Sequence, residues 1–262
     1  MKNDIGKKFE RLIEIMARLR APNGCPWDRE QTPDSITPYL LEETYETIEA
    51  ITSGDKAHVR EELGDLLLQV VFQSQMANEA GDFDVGGVID SISEKLIRRH
   101  PHVFGDTKVK GSKDVLTNWE HIKKSEGKKS LLGGVPETLP ALLKAYRLGE
   151  KASRVGFDWN NAEGVLEKIE EEARELHEAK KGGIKKDIEH EYGDLLLILA
   201  NLGRFLKIDP ETALRKATNR FIRRFQCMEE TAAGRKLDLK KLDIEKLEEL
   251  WQEAKKRLSL QA

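Results

Sequence analysis

Long apolar runs are missing from this chain of 262 residues. No stretch reaches the roughly 18 to 20 consecutive apolar residues that a membrane-crossing helix needs. Cysteine is nearly absent: Cys25 and Cys227 are the only two, too few for a disulfide framework and without a Cys-x-x-Cys pair for zinc. Scarce thiols that never pair point to a reducing cytoplasm. An excess of either charge is also lacking, because 44 Lys+Arg against 47 Asp+Glu leave −3 at pH 7. That balance sets aside nucleic acid and membrane surfaces as partners, since both call for a basic excess. The opening segment MKNDIGKKFERLIEIMARLR carries charges throughout and has no apolar centre of the signal-peptide kind.

Only 8 prolines and 20 glycines interrupt the chain, and between them apolar residues recur at spacings of three and four, the period of a helix. The spacing predicts helices over 9–19, 34–52, 56–80 and 85–99, and another around Trp119. The centre of the third, LLLQVV, is apolar on nearly every side and is expected to be deeply buried. Gly, Pro and Ser gather in GKKSLLGGVPETLP, residues 127–140, which predicts a linker. The expected fold is all-α, with tandem helical bundles over 1–126 and 141–262.

The second half repeats the first. At a constant offset of 129 residues, Glu42, Glu43, Glu46, Glu62, Gly64 and Asp65 fall on Glu171, Glu172, Glu175, Glu191, Gly193 and Asp194, and Gly54 falls on Gly183. Two copies are too few for a solenoid, so each half is expected to be a small bundle of its own.

Each copy carries Glu-Glu-x-x-Glu, fifteen residues, then Glu-x-x-Asp. Residues three or four apart share a helix face, so antiparallel helices can bring these carboxylates together. Like charges so crowded must protonate or find a cation. All-oxygen donors select hard cations, magnesium foremost and manganese as a substitute. Two plainer readings compete: a solvated glutamate-rich face and an ion-pair network with His58, Arg60 or Lys185. Against the first, the acids keep identical spacing twice beside the most apolar helix of each half. Glu-x-x-His pairs of an iron-carboxylate bundle and the calcium-loop pattern are both absent.

Cations and aromatics accompany the acids. Asn219, Arg220, Arg223 and Arg224 lie within two turns in the second half, and Trp251 precedes Lys255 by one turn. In the first half Lys95, Arg98, Arg99, Trp119 and Lys123 offer the same set, with Glu94 in the place of Asn219. Arg and Lys suit a polyphosphate, and a Trp offers a face to a base. Taken singly, each has a plain structural reading, an arginine as helix surface and a Trp as core. Cys25 and Cys227 lack a recurring His neighbour and are read as packing residues.

At these residues the chain resembles the MazG family of nucleoside triphosphate pyrophosphohydrolases in its two-repeat bacterial form. The resemblance is carried by NGCPWDREQTPDSITPYLLEETYE, by both acidic pairs, by RRHPHVFGD and by LPALLKAYRLGEKASRVGFDW, and it covers essentially the whole length. It implies an all-α fold, a homodimer, magnesium dependence, and cleavage of nucleoside triphosphates between the α- and β-phosphates. It also implies that Glu172, Glu175, Glu191 and Asp194 ligate magnesium, with Glu171 assisting or orienting water. Glu43, Glu46, Glu62, Asp65 and Glu42 match them in the first half.

A carboxylate, Glu171 or Glu172, is expected to activate the attacking water. Arg223, Arg224 and Lys255 would neutralise phosphate, Asn219 would bond sugar or phosphate, and Trp251 would pack on the base. The second half is favoured as the main site because Glu94 would place a carboxylate near the polyphosphate in the first. The competing class is a nucleotide sensor or protein-binding scaffold with degenerate sites.

Overall fold

The computed structural model describes residues 2–112, 114–115, 118–119, 122 and 130–259. All its regular elements are helical and no strand occurs among these residues. The chain divides into two compact units, Met1–Ser125 and Glu126–Ala262.

In the first unit, α1 (Lys2–Arg20), α2 (Pro26–Glu30), α3 (Thr37–Ser53), α4 (Lys56–Ala80), α5 (Val85–Arg99) and the single turn α6 (Pro101–Phe104) follow one another. α4 and α5 begin and end as their sequence pattern predicts, whereas α1 begins earlier, at Lys2, and α3 later, at Thr37. The late start of α3 has a local cause. Thr32 and Ser35 exchange backbone-to-hydroxyl hydrogen bonds of 2.9 and 3.2 Å, which form a turn before the helix. Most of the helix expected around Trp119 lies outside the described residues.

α3 and α4 form an antiparallel hairpin whose connection is set by two caps. Gly54 ends α3 in the left-handed region, at φ 79°, where a side chain would be strained. Asp55 then accepts hydrogen bonds from the Ala57 and His58 amides and starts α4. α1 packs across α4, and Met16, Ile36, Val71, Phe72 and Met76 make the core between them.

The second unit contains α7 (Ala141–Ser153), α8 (Ala162–Gly182), α9 (Lys185–Leu206), α10 (Pro210–Gly234), a 3-10 turn (Leu239–Lys241) and α11 (Ile244–Ser259). The α8–α9 hairpin repeats the α3–α4 hairpin, down to a left-handed Gly183 at φ 73°. α7 packs on α9, and α10 packs on α11 around Cys227, Met228, Ala232, Leu250 and Ala254. Cys227 is therefore core, and Cys25 is half-buried; both are free thiols.

The expectation of deep burial for the apolar centre of α4 is not met. Gln69, Val71 and Phe72 are buried, but Leu63, Leu67 and Val70 are exposed, Leu67 at 40%. In the second unit Tyr192, Leu196, Leu197 and Leu199 are exposed at the matching stretch of α9. Periodicity counted apolar positions correctly; it did not show that one chain covers only one side of the helix.

Candidate metal and nucleotide site

The acids meet where the two helices of each hairpin face one another. Carboxylate oxygens of Glu43 and Glu46 on α3 and Glu62 on α4 all lie within 4.8 Å of one another, as do those of Glu172 and Glu175 on α8 and Glu191 on α9. Three and four residues of spacing place each pair on one helix face, and the short Gly-capped turn fixes the register that brings in the third acid.

Burial divides the cluster. Glu62 is 8% exposed and Glu172 is 5% exposed, while Glu46 and Glu175 reach solvent. The second carboxylate oxygen, Oε2, of both Glu62 and Glu172 is buried and has no hydrogen-bond partner. A buried orphan acceptor is costly, and two of them at matching clusters are what a cation site leaves open. An all-carboxylate donor set with one side open to water suits a hard divalent cation that keeps part of its hydration.

The remaining acids stand further out. Asp65 and Asp194 are outside the close trios. Asp194 instead lies 3.3 Å from His190, and Glu171 is exposed and held at 2.8 Å by Lys168. Sequence spacing predicted that four acids would converge; the structure brings together three in each half. Asp65 is still close enough to act electrostatically. Burial, then the charges of Asp65, Glu46, Glu62 and Glu42, push the Glu43 carboxyl above the ordinary 4.5.

Each half holds one buried acid in contact with a basic side chain. His58 Nε2 is 2.9 Å from Glu62 Oε1, and Lys168 Nζ is 2.8 Å from Glu172 Oε1. His58 was among the candidates for an ion-pair network. Lys168 was not, although its signal was present: a lysine one turn before Glu172, at the i to i+4 spacing that pairs charges on a helix.

The cationic and aromatic residues form a separate group. Arg224 stands over the Trp251 ring with its guanidinium carbon 6.0 Å from the centroid, and Phe221 approaches the same ring at 5.3 Å. Trp251 is thus partly engaged by its own unit, along an apolar groove that includes Phe225, Met228 and Leu247. Asn219, Arg220 and Arg223 lie exposed on α10, and Lys255 is half-buried on α11; none of the four pairs with an acid of the cluster. In the first half Lys95, Arg98 and Arg99 lie on the last turns of α5, and Trp119 sits 6.3 Å from the His100 ring. Lys123 lies outside the described residues.

Residues 31–104 match the family described as MazG nucleotide pyrophosphohydrolase domain, and residues 150–221 match that described as phosphoribosyl-ATP pyrophosphohydrolase. Over 255 residues the chain is 52% identical to a Thermotoga maritima protein named nucleoside triphosphate pyrophosphohydrolase/pyrophosphatase MazG, covering 96% of this chain and 97% of that one. This chain belongs to the MazG family. MazG-family membership makes it a hydrolase of phosphoric anhydrides with nucleoside triphosphates as its substrate class. An Escherichia coli relative named nucleoside triphosphate pyrophosphohydrolase is 46% identical over 257 residues, covering 95% of this chain and 98% of its own. A crystal structure of a mazG-related protein from Thermotoga maritima aligns with a TM-score of 0.39 at 29% identity, over 44% of this chain and 98% of that one.

Proposed function

We propose that each half of this MazG chain is a magnesium site that hydrolyses ribo- or deoxyribonucleoside triphosphates to the monophosphate and pyrophosphate. The observation that carries the reading is the recurrence of a close carboxylate trio, with one buried orphan oxygen in each, in two hairpins of the same register. Glu43, Glu46, Glu62 and Asp65, and Glu172, Glu175, Glu191 and Asp194, are the proposed ligands. Magnesium bound there supplies positive charge against the triphosphate, and manganese can substitute.

The chain's own groups then have distinct tasks. Glu171 is assigned to orient a water and take its proton, as is Glu42 in the first half; Glu172 is the alternative base. The water oxygen bonds the α-phosphorus, the bond from that phosphorus to the α,β-bridging oxygen breaks, and pyrophosphate leaves with that oxygen. Arg220, Arg223, Arg224 and Lys255 are assigned to the departing phosphates, with Asn219 as a neutral donor and Trp251 against the base. Lys95, Arg98, Arg99, Trp119 and Lys123 are their first-half counterparts. The second half is the proposed principal site, because the first half has a carboxylate, Glu94, at the sequence position where the second has the neutral Asn219.

The exposed apolar faces of α4 and α9 support a homodimer, since helices with such faces are normally covered. Residues 127–140 are proposed as the connection between the two catalytic units. The cytoplasm, where nucleotide pools reside, is the proposed setting.

Product analysis after incubation with each nucleoside triphosphate and magnesium tests the reading. Monophosphate and pyrophosphate, abolished by EDTA and by Glu46→Gln with Glu175→Gln, are the expected result. Diphosphate and orthophosphate would overturn it. Binding without any product would instead favour a sensor or scaffold.

A further inference from the structure

The two carboxylate trios match in sequence, yet their surroundings differ in permanent charge. In the second half Lys168 Nζ contacts Glu171 Oε1 and Glu172 Oε1 at 2.8 Å each. Its side chain is partly exposed, and its ammonium bridges the two acids. The register of 129 residues that lays Glu43 on Glu172 lays Tyr39 on Lys168. Tyr39 turns its ring edge to Trp27, with centroids 5.9 Å apart, and brings no charge.

Among the described residues, the basic side chain in contact with the first-half trio is His58, and a neutral imidazole can donate its N–H to a carboxylate without opposing a cation. In the second half the Lys168 ammonium lies 2.8 Å from carboxylate oxygens of both Glu171 and Glu172. An incoming divalent cation must share Glu172 with that ammonium or displace it, against like-charge repulsion at contact distance.

We propose that Lys168 is a resident counter-ion that lowers the intrinsic divalent-cation affinity of the second trio, so that cations fill the first-half trio first. This rests on the reading of both trios as cation sites. It assigns the two halves different loading behaviour from one residue, although their acids are the same. Lys168 acts here through Glu172, as a positioning residue.

Titration of the full chain with Mn2+ alone, read by electron paramagnetic resonance of the free ion, tests the proposal. The wild type is expected to show two classes of site separated at least tenfold in Kd. Glu43→Gln with Glu62→Gln removes the tight class. Lys168→Met tightens the weak class about tenfold and leaves the tight class in place, whereas Lys168→Arg, which retains the cation, keeps the weak class weak. Circular dichroism on each variant confirms the helical fold. Unchanged classes in Lys168→Met, or loss of the weak class in the first-half variant, would overturn the counter-ion role. A single class of equal sites would do the same while leaving the cation sites standing. Absence of Mn2+ binding at millimolar concentration would overturn the site reading, and the inference with it.

Discussion

Arg20 and Glu79 meet across 59 residues of sequence, with Nη2 2.7 Å from Oε2 and Nε 2.9 Å from both carboxylate oxygens. The Arg20 side chain is largely buried and also donates to the carbonyls of Asp28 and Gln31. One guanidinium thus fastens α1, the end of α4 and the segment that leads into α3. Removing it strands two carbonyls as well as an acid.

Arg20→Met is expected to destabilise the chain by about 1–3 kcal/mol, the usual cost of leaving such acceptors unpaired. Glu79→Gln costs less, about 1 kcal/mol, because the Glu79 side chain is 38% exposed and solvent screens the pair. The Arg20 hydrogen bond holds the Glu79 carboxyl below its ordinary 4.5. Stabilisation from a lowered carboxyl is complete above the unfolded value and is lost as pH falls through the folded one. Urea midpoints measured between pH 3 and 6 are expected to fall less steeply on acidification in Glu79→Gln than in wild type.

The carboxyl of Glu43 is shifted the other way. A raised folded-state value means that the cation-free chain is favoured below the ordinary 4.5 and loses that advantage as pH rises through the raised value. At neutral pH without divalent cation, Glu43→Gln is expected to raise Tm slightly. It is also expected to shrink the Tm gain on adding magnesium. Thermal melts with and without 10-fold steps of magnesium check both signs.

In the second unit Gly149 of α7 permits a close helix contact. A methyl group there would fall within the van der Waals shell of Asn201 Oδ1 and press on Arg204 Nε at 3.2 Å. Asn201 is buried and donates to the Leu197 carbonyl at 3.1 Å; Arg204 pairs with Asp158. Neither can move freely. Gly149→Ala is expected to lower stability by about 1–3 kcal/mol, in the range of overpacked interiors, as read by chemical denaturation.

The duplication, the helix pairs and the convergence of Glu43, Glu46 and Glu62 were legible because each depends on short-range spacing. Gly54 and Gly183 were visible as matching glycines at matching turns. The exposure of Leu67 and Leu196 was not legible. An apolar run states that burial is required but does not name the surface that provides it. Asp65 and Asp194 were expected to join the trios; their oxygens are not among those that lie within 4.8 Å of one another. Lys168 escaped because a lysine beside glutamates is ordinary on a helix surface, and only its contact with the buried Glu172 distinguishes this one.

Paired substitutions test the apolar faces. If a second copy covers α4 and α9, Leu67→Asp with Leu196→Asp is expected to convert a dimer to monomers in sedimentation velocity, with the helical signal retained. A wild-type chain that sediments as a monomer at micromolar concentration would remove the dimer.

Hydrolysis of a nucleoside triphosphate in 18O-enriched water, followed by mass analysis of both products, addresses the central claim most directly. The account predicts one 18O in the monophosphate and none in pyrophosphate, because water attacks the α-phosphorus. It also predicts loss of turnover when Glu43→Gln and Glu172→Gln are combined. Label in pyrophosphate or orthophosphate, or full turnover in the combined variant, would contradict it.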